Sequence, residues 1–163
     1  MHYIDDLAAT IAFATPVLLG IPAEVASRRP APGKWSAKEV LGHLVDSAAN
    51  NHQRFVRAQW QTDLIFSGYD QDAWVRAQDY QNAGWDEIVA LWAAYNSHLA
   101  HLMATIPLPV RLREHPRHNL HEIAWRPVPK EVPATLDYFM ADYVAHLHHH
   151  LKQVGKLTGV TAL

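Results

Sequence analysis

Apolar residues recur in the first part of the chain at the 3.6-residue spacing of amphipathic α-helices. The first such stretch covers about residues 4–19 and is followed by Pro22. A second begins at Ser36, where Glu39 three residues later completes the sequence pattern of a capping box, and continues to about Trp60. Both stretches are long enough to bury an apolar face against a neighbouring helix.

The second half of the chain shows the same periodicity twice more. A third stretch runs from Asp86, which is a suitable N-cap, to about Thr105. A fourth begins near Thr135 and ends at Gly155 or Gly159. Four amphipathic helices in one chain predict an all-α fold, a four-helix bundle in which ligand and metal sites are built from inward-facing side chains.

The connections on either side of the third helix are long. Residues 61–85 are expected to be partly helical, and the proline-rich residues 107–133 are expected to be irregular or strand-like. The chain shows no internal repeat, low-complexity tract or domain boundary. We therefore expect residues 1–163 to form a single domain, a four-helix bundle with long crossover connections.

Composition restricts the classes of function that remain. The chain has 163 residues, of which 49% are hydrophobic and 18% charged, so it can bury a substantial core. A formal charge of −2 argues against a nucleic-acid partner, since such proteins present a basic face. Acidic residues near the N-terminus and the lack of a long apolar run indicate a cytoplasmic protein with no membrane partner.

Histidine stands out as the residue type that could carry chemistry. The chain has no cysteine, which excludes disulfides, thiolate metal sites and a catalytic thiol, but it has 12 histidines. On the last helix, His150 falls within the apolar arc and His146 on its edge, whereas His148 and His149 fall outside it. Two imidazoles one helical turn apart can share a metal ion, although this spacing also arises by chance.

A third ligand is expected from the second helix. His43 borders the apolar arc there and heads a polar strip that contains Asp46, Asn50 and Arg54. Such a strip is favourable at a buried face if it lines a cavity, which makes His43 the third candidate ligand. The strip could instead be a solvated face, and His43 a hydrogen-bonded core residue.

Three segments of the chain resemble the DinB/YfiT-like superfamily of four-helix metalloproteins. They are KWSAKEVLGHLVDSAANNHQRF (34–55), YDQDAW (69–74) and DYVAHLHHHLKQV (142–154), and they occur in the family's order over nearly the whole chain. The resemblance implies a DinB-like bundle, and it places the family's metal triad on His43, His146 and His150. Gln153 matches a glutamine that follows the triad, where it could support the site or close the bundle.

The resemblance also implies a cofactor and an assembly state. We expect one divalent metal ion per chain, Zn²⁺ or Ni²⁺ first, with Fe²⁺ and Cu²⁺ also compatible with three imidazole ligands. A homodimer is expected from the family. Residues 107–133 depart from the family pattern, and His118 and His121 in this segment are expected to be exposed.

Two types of chemistry suit such a site, and both act on a small molecule. The YfiT branch resembles metal-dependent hydrolases, in which an open coordination position can lower the pKa of bound water to near ~7. Related branches transfer low-molecular-weight thiols, which this cysteine-free chain would have to take from outside. A non-catalytic, stress-related metal-binding module is the third alternative.

Several residues near the predicted site have more than one candidate role. Asp46 is a candidate catalytic base, as is Glu122, but Asp46 could instead orient a ligand histidine. Arg54 and Asn50 could bind the carboxylate of a thiol cofactor, or Arg54 could form a structural ion pair. Several aromatic residues could wall a pocket or pack in the core, namely Trp35, Tyr69, Trp74 and Trp85.

Overall fold

The computed structural model describes residues 3–163 and contains four long helices. These are α1 (Tyr3–Leu19), α3 (Ala37–Ala58), α5 (Trp85–Thr105) and α8 (Leu136–Thr158). Helix α1 packs against α5 and α8, and α3 packs against the same two helices, so α1 and α3 lie on one diagonal of the bundle. The predicted all-α four-helix bundle is confirmed.

Local sequence signals fix the ends of two of these helices as predicted. Ser36 caps α3, accepting a hydrogen bond from the Glu39 N–H at 3.3 Å while its own N–H donates to the Glu39 carboxylate at 2.8 Å. Thr135 caps α8 by accepting from the N–H of Tyr138 at 3.1 Å. At the other end of α8, Gly159 adopts the left-handed conformation (φ 78°) that glycine tolerates best.

The start of α5 differs from the prediction. Its N-cap is Gly84 rather than Asp86, and no side chain caps its first turn. Asp86 lies inside that turn, where a carboxylate still interacts favourably with the positive end of the helix dipole.

The two long connections carry short elements of their own. Residues 61–85 include α4 (Gln71–Ala77), which confirms a partly helical segment. Residues 107–133 are mostly irregular but contain α6 (Leu108–Leu112), β1 (Glu114–His115) and α7 (Leu120–Ile123). Strand β1 pairs antiparallel with β2 (Ala134–Thr135), and α2 (Ala23–Ala26) follows Pro22.

The two connections are joined to each other on one side of the bundle. Leu64 donates its N–H to the Arg117 carbonyl at 3.0 Å and accepts from the Asn119 N–H at 3.1 Å. The Asn119 side chain bonds both the N–H and the carbonyl of Phe66. These bonds hold residues 64–66 beside residues 117–119, and the parts of both connections that follow lie between α3 and α8.

One continuous apolar core fills the space between the helices. Buried Trp92 and Leu99 on α5 pack with residues from the other three long helices. Within this core the Tyr143 hydroxyl of α8 donates to the Asn96 side-chain oxygen of α5 at 2.5 Å, so these two polar groups pair with each other, whereas Nε1 of Trp92 is buried without a hydrogen-bond partner. No helix within residues 3–163 is long and apolar enough to cross a bilayer.

Candidate metal centre

Helices α3 and α8 bring three histidines together. The Nε2 atoms of His43 and His146 lie 3.3 Å apart, and one ring nitrogen from each of His43, His146 and His150 lies within 4.8 Å of the others. His43 is 2% exposed, and the two α8 histidines are half-buried. The structure thus brings together all three residues that the sequence singled out as ligands.

The spacing of these nitrogens fits a shared ion. Two nitrogens bound to one tetrahedral ion at the usual Zn–N length lie about 3.3–3.4 Å apart. The same spacing occurs between His52 and His98, whose Nε2 atoms are 3.4 Å apart on the surface of the bundle. What distinguishes the His43 cluster is its third ligand, since it is the only group of three such side chains among the described residues.

The histidines of the cluster are held in the neutral form that binds metal. Burial, together with repulsion from the protonated form of His150, lowers the pKa of His43 to about 4. Burial and the neighbouring imidazoles lower the pKa of His146 further, and burial also lowers that of His150. A neutral imidazole offers a lone pair, so at neutral pH the cluster presents three donor nitrogens without first losing protons.

Gln153 supports the orientation of one ligand. Its side-chain oxygen lies 2.8 Å from Nδ1 of His150 and can accept a hydrogen bond from Nδ1–H. In that tautomer Nε2 keeps its lone pair and could bind a metal ion. Nδ1 of His43, by contrast, is buried without a hydrogen-bond partner. The carboxylate oxygen Oδ2 of Asp46, three residues later on α3, is likewise buried and unpaired.

Asp46 lies beside the cluster but outside the cavity. It is 2% exposed, and its Oδ1 accepts hydrogen bonds from the Tyr80 hydroxyl at 2.8 Å and from the Gln78 amide. Burial raises the pKa of this carboxyl despite the two bonds. Asp46 is therefore held by Tyr80 and Gln78 and does not line the cavity, which disfavours a role as a base that meets substrate.

A cavity of about 270 Å³ opens next to His43 and His146. One wall is a line of α3 side chains at successive turns, His43, Ser47, Asn51 and Arg54. Other walls come from Tyr69 and Gly68 of one connection, Glu122–Trp125 of the other, and Phe139, Asp142 and Tyr143 of α8. A small molecule in this cavity would lie beside an ion held by the three histidines.

Trp125 partly covers the histidines of α8. Its ring centroid lies 5.5 Å from that of His146, 4.4 Å from His149 and 6.2 Å from His150. Asp142 fixes this arrangement, because its carboxylate accepts the backbone N–H groups of Trp125 and Arg126, each at 2.8 Å. The α8 helix therefore both carries two histidines of the cluster and anchors the loop beside them.

The other residues of the predicted polar strip separate into two groups. Arg54 lines the cavity and is 6% exposed. Asn50 does not line the cavity beside the histidines; its amide donates to the Asp46 carbonyl at 2.9 Å and faces a second, smaller cavity. Glu122, the other carboxylate considered as a base, lies at the rim and is largely exposed.

The other histidines within residues 3–163 lie outside the cluster. His148 faces α1, with Nε2 2.9 Å from the Thr10 hydroxyl, and His149 is exposed against Trp125. The expectation that His118 is exposed is wrong: it is 5% exposed, bonded to the Val132 carbonyl at 2.7 Å. It is buried because its ring ties two parts of the proline-rich connection together, and His121 nearby is half-buried.

Comparison with known protein families agrees with this architecture. The profile of the DinB superfamily matches residues 7–154, a range that includes all three histidines and the cavity. The chain belongs to the DinB superfamily. The resemblance noted in the three sequence segments is thereby confirmed at the level of the family.

One curated relative and one solved structure extend this assignment within the DinB superfamily. The relative, named "Putative metal-dependent hydrolase YfiT" of Bacillus subtilis (strain 168), is 27% identical over 126 residues, which are 77% of this chain. The chain spans 65% of the length of that relative. The solved YfiT structure, described as a "probable metal-dependent hydrolase with an unusual four-helix bundle topology", aligns with a TM-score of 0.75.

The structural likeness concerns the fold. It covers 96% of this chain and 84% of the YfiT chain at 22% identity. Residues of this DinB-superfamily site that the sequence did not single out are Asn51, Trp125 and Asp142. Asn51 could have been found from the helical spacing that it shares with His43 and Ser47. Trp125 and Asp142 reach the site through a loop contact, which leaves no periodic signal.

Proposed function

We propose that this DinB-superfamily protein is a metal-dependent hydrolase that binds one divalent ion per chain through His43, His146 and His150. The observation that supports this most directly is the placement of three neutral imidazoles whose ring nitrogens lie within 4.8 Å of one another, with His43 and His146 lining a cavity. Three protein ligands leave a coordination position open, as in catalytic rather than structural zinc sites. The name of the YfiT relative is consistent with the proposal.

The donor set indicates which ions fit. Imidazole nitrogens suit Zn²⁺, Ni²⁺, Fe²⁺ and Cu²⁺, and we place Zn²⁺ and Ni²⁺ first. A bound divalent ion supplies Lewis acidity and lowers the pKa of a coordinated water. The protein supplies the orientation of the ligands, through Gln153 on His150, and a cavity that holds the substrate.

The other residues around the cavity have supporting roles in this proposal. Trp125 limits access of bulk water to the α8 histidines, and Asp142 keeps Trp125 in place through two backbone hydrogen bonds. Ser47 and Asn51 offer hydrogen-bonding groups along the α3 wall. Of the two carboxylates that line the cavity, Asp142 already accepts two backbone N–H groups, which leaves Glu122 at the rim as the candidate proton acceptor.

Turnover measurements test the proposal. Zn²⁺- and Ni²⁺-loaded protein would be incubated with panels of esters and amides, and we expect hydrolysis above that of a variant with all three histidines replaced by alanine. The same pair of proteins would be given a low-molecular-weight thiol with an epoxide or chloro-electrophile. A rate that appears only with the thiol would replace the hydrolase by a thiol S-transferase, and no rate in either panel would leave a metal-binding module.

The assembly and location of the protein are part of the same proposal. Light scattering of the metal-loaded protein should give the mass of a homodimer, and a monomer at micromolar concentration would reject that part. We further propose that the protein acts in the cytoplasm. The proposal for the metal site does not depend on either point, since all three ligands belong to one chain.

A further inference from the structure

A buried arginine lies in the cavity without an acidic partner. Arg54 is 6% exposed, and its guanidinium donates to the Ser67 carbonyl at 2.7 Å and to the Asn51 side chain at 3.4 Å. Among residues 3–163, no carboxylate forms a salt bridge with Arg54. A guanidinium has five N–H donors, so most of its hydrogen-bonding capacity is unused by the protein.

The carboxylates that share the cavity are engaged elsewhere. Asp142 accepts two backbone N–H groups, and the Glu122 carboxylate lies 3.3 Å from the His121 ring. The polar group that interacts with Arg54 across the cavity is the Tyr69 hydroxyl, which is neutral at physiological pH because burial raises its pKa to about 12. The positive charge of Arg54 is therefore not neutralised by the protein.

Burying a charge without a partner of opposite sign costs folding free energy. Proteins keep such a charge mostly at functional sites, where a bound ligand can neutralise it. Arg54 is also the residue type best suited to a planar or tetrahedral anion, because its fork can donate two parallel hydrogen bonds to carboxylate or phosphate oxygens. It lies on the same α3 face as His43, three turns further along, so about 16 Å of helix separates their Cα atoms. The arginine and the histidines thus border opposite ends of one cavity.

We infer that the substrate of this site carries a carboxylate or phosphate group, which Arg54 binds at the end of the cavity away from the three histidines. The inference rests on the proposed function, since it assigns the class of molecule on which that reaction acts. The walls between the two ends include the rings of Tyr69, Phe139 and Tyr143. Because these walls are aromatic, an acid with an aromatic or apolar body fits the cavity better than a compact, fully polar ion.

A second cavity that Arg54 borders is an alternative position for the anion, and it provides a control variant. Arg54 also borders a space of about 170 Å³ that is lined by Arg57 and by the amides of Asn50, Gln53 and Gln61. Arg57 is exposed and donates to the Gln53 side chain at 3.2 Å. Because Arg57 lines only this second space, Arg57→Gln removes the same charge from the same helix without altering the cavity beside the histidines.

Calorimetric titration of the metal-free protein with benzoate, phenyl phosphate and benzamide tests the inference without any ion for the anions to bind. We expect saturable 1:1 binding of an acid, and binding of neutral benzamide that is weaker by roughly tenfold or more. Arg54→Gln should weaken binding of the acid by a similar factor, Arg54→Lys by less, and Arg57→Gln by under about twofold.

Several results would overturn the inference. These are equal affinity for benzoate, phenyl phosphate and benzamide, no saturable binding of either acid, or an equal loss from Arg54→Gln and Arg57→Gln, which would move the anion to the second cavity. If Arg54→Gln does not fold, Arg54→Lys and the comparison of acid with amide in the wild type still decide. Acid binding without any ester or amide turnover would reject the proposed hydrolase and retain the anion site.

Discussion

His43 on α3 and His146 on α8 direct their Nε2 atoms at each other across 3.3 Å. Two neutral imidazoles can form one Nε2–H···Nε2 hydrogen bond at that distance, and burial, which lowers the pKa of both, disfavours the further proton that would charge the pair. A divalent ion would satisfy both lone pairs and also that of His150, whose Nδ1 is held by Gln153. An ion bound at this point would therefore also link α3 to α8.

Metal-free protein should lose stability as the pH falls from about 7 towards 5. His43 has a pKa of about 4 in the folded protein and about 6.5 when unfolded, so the unfolded chain binds the proton first. Each such histidine should cost roughly 1 kcal/mol of unfolding free energy at pH 5.5. Chemical denaturation at several pH values measures this slope, and the double variant His43→Gln, His146→Gln should flatten it. An unchanged slope in that variant would contradict the burial of neutral histidines.

Asp46→Asn should weaken metal binding while leaving the fold intact. Nδ1 of His43 and Oδ2 of Asp46, three residues apart on α3, are both buried without a hydrogen-bond partner, and a hydrogen bond between them in the metal-bound protein would satisfy both. Loss of such an orienting carboxylate typically reduces metal affinity by about 10- to 100-fold. Competition with a chromogenic chelator measures the affinity. Asn50→Ala serves as control, since Asn50 lies on the next turn and does not border the histidines; equal effects of the two variants would reject the positioning role.

Gly42→Ala should destabilise the protein although it lies in a helix. A methyl group at this position would overlap the ring of Tyr80, which packs against the backbone of α3 and donates to Asp46. Displacing the ring should cost about 1–3 kcal/mol, more than the gain from replacing a helical glycine. Denaturant unfolding measures this change, and Gly68→Ala is a control because a Cβ atom there would make only an ordinary contact, 3.9 Å from Ile123. A neutral or stabilising Gly42→Ala would show that Tyr80 is not packed there.

Asp142→Asn should release the loop that carries Trp125. An amide can accept only one of the two backbone N–H groups that the carboxylate now accepts, so a buried donor loses its partner at a cost of about 1–3 kcal/mol. Acrylamide should then quench tryptophan fluorescence more strongly than in the wild type. Trp125→Phe isolates the signal: in that background Asp142→Asn should leave quenching unchanged, and a persisting increase would mean that another tryptophan has moved.

Helix periodicity predicts the four long helices and the three histidines that the structure brings together. His43, His146 and His150 could be found from the sequence because each lies on or beside an apolar helix face, and a helix fixes the direction of its side chains. Ser36 and Glu39 likewise set the start of α3 through a local pattern that needs no tertiary contact.

Residues fixed by long-range contacts could not be placed in this way. His118 is buried because a carbonyl 14 residues away accepts from its ring, and Trp125 covers the site because Asp142 holds its backbone. His43 and Arg54 of the predicted polar strip line the cavity, but Asn51 takes the place expected for Asn50, since a position near the edge of the helix wheel can face either side. The lack of an acidic partner for Arg54 is also visible only in three dimensions.

The metal content of protein purified without a nickel column is the most direct test of the central claim. Elemental analysis of the wild type, after equilibration with Zn²⁺ or Ni²⁺ and removal of the excess, should give one ion per chain. His43→Ala, His146→Ala and His150→Ala should each lose it, whereas His52→Ala, which alters the surface pair with His98, should retain it. A folded wild type that holds no ion, or an ion retained by all three single variants, would contradict the three-histidine site.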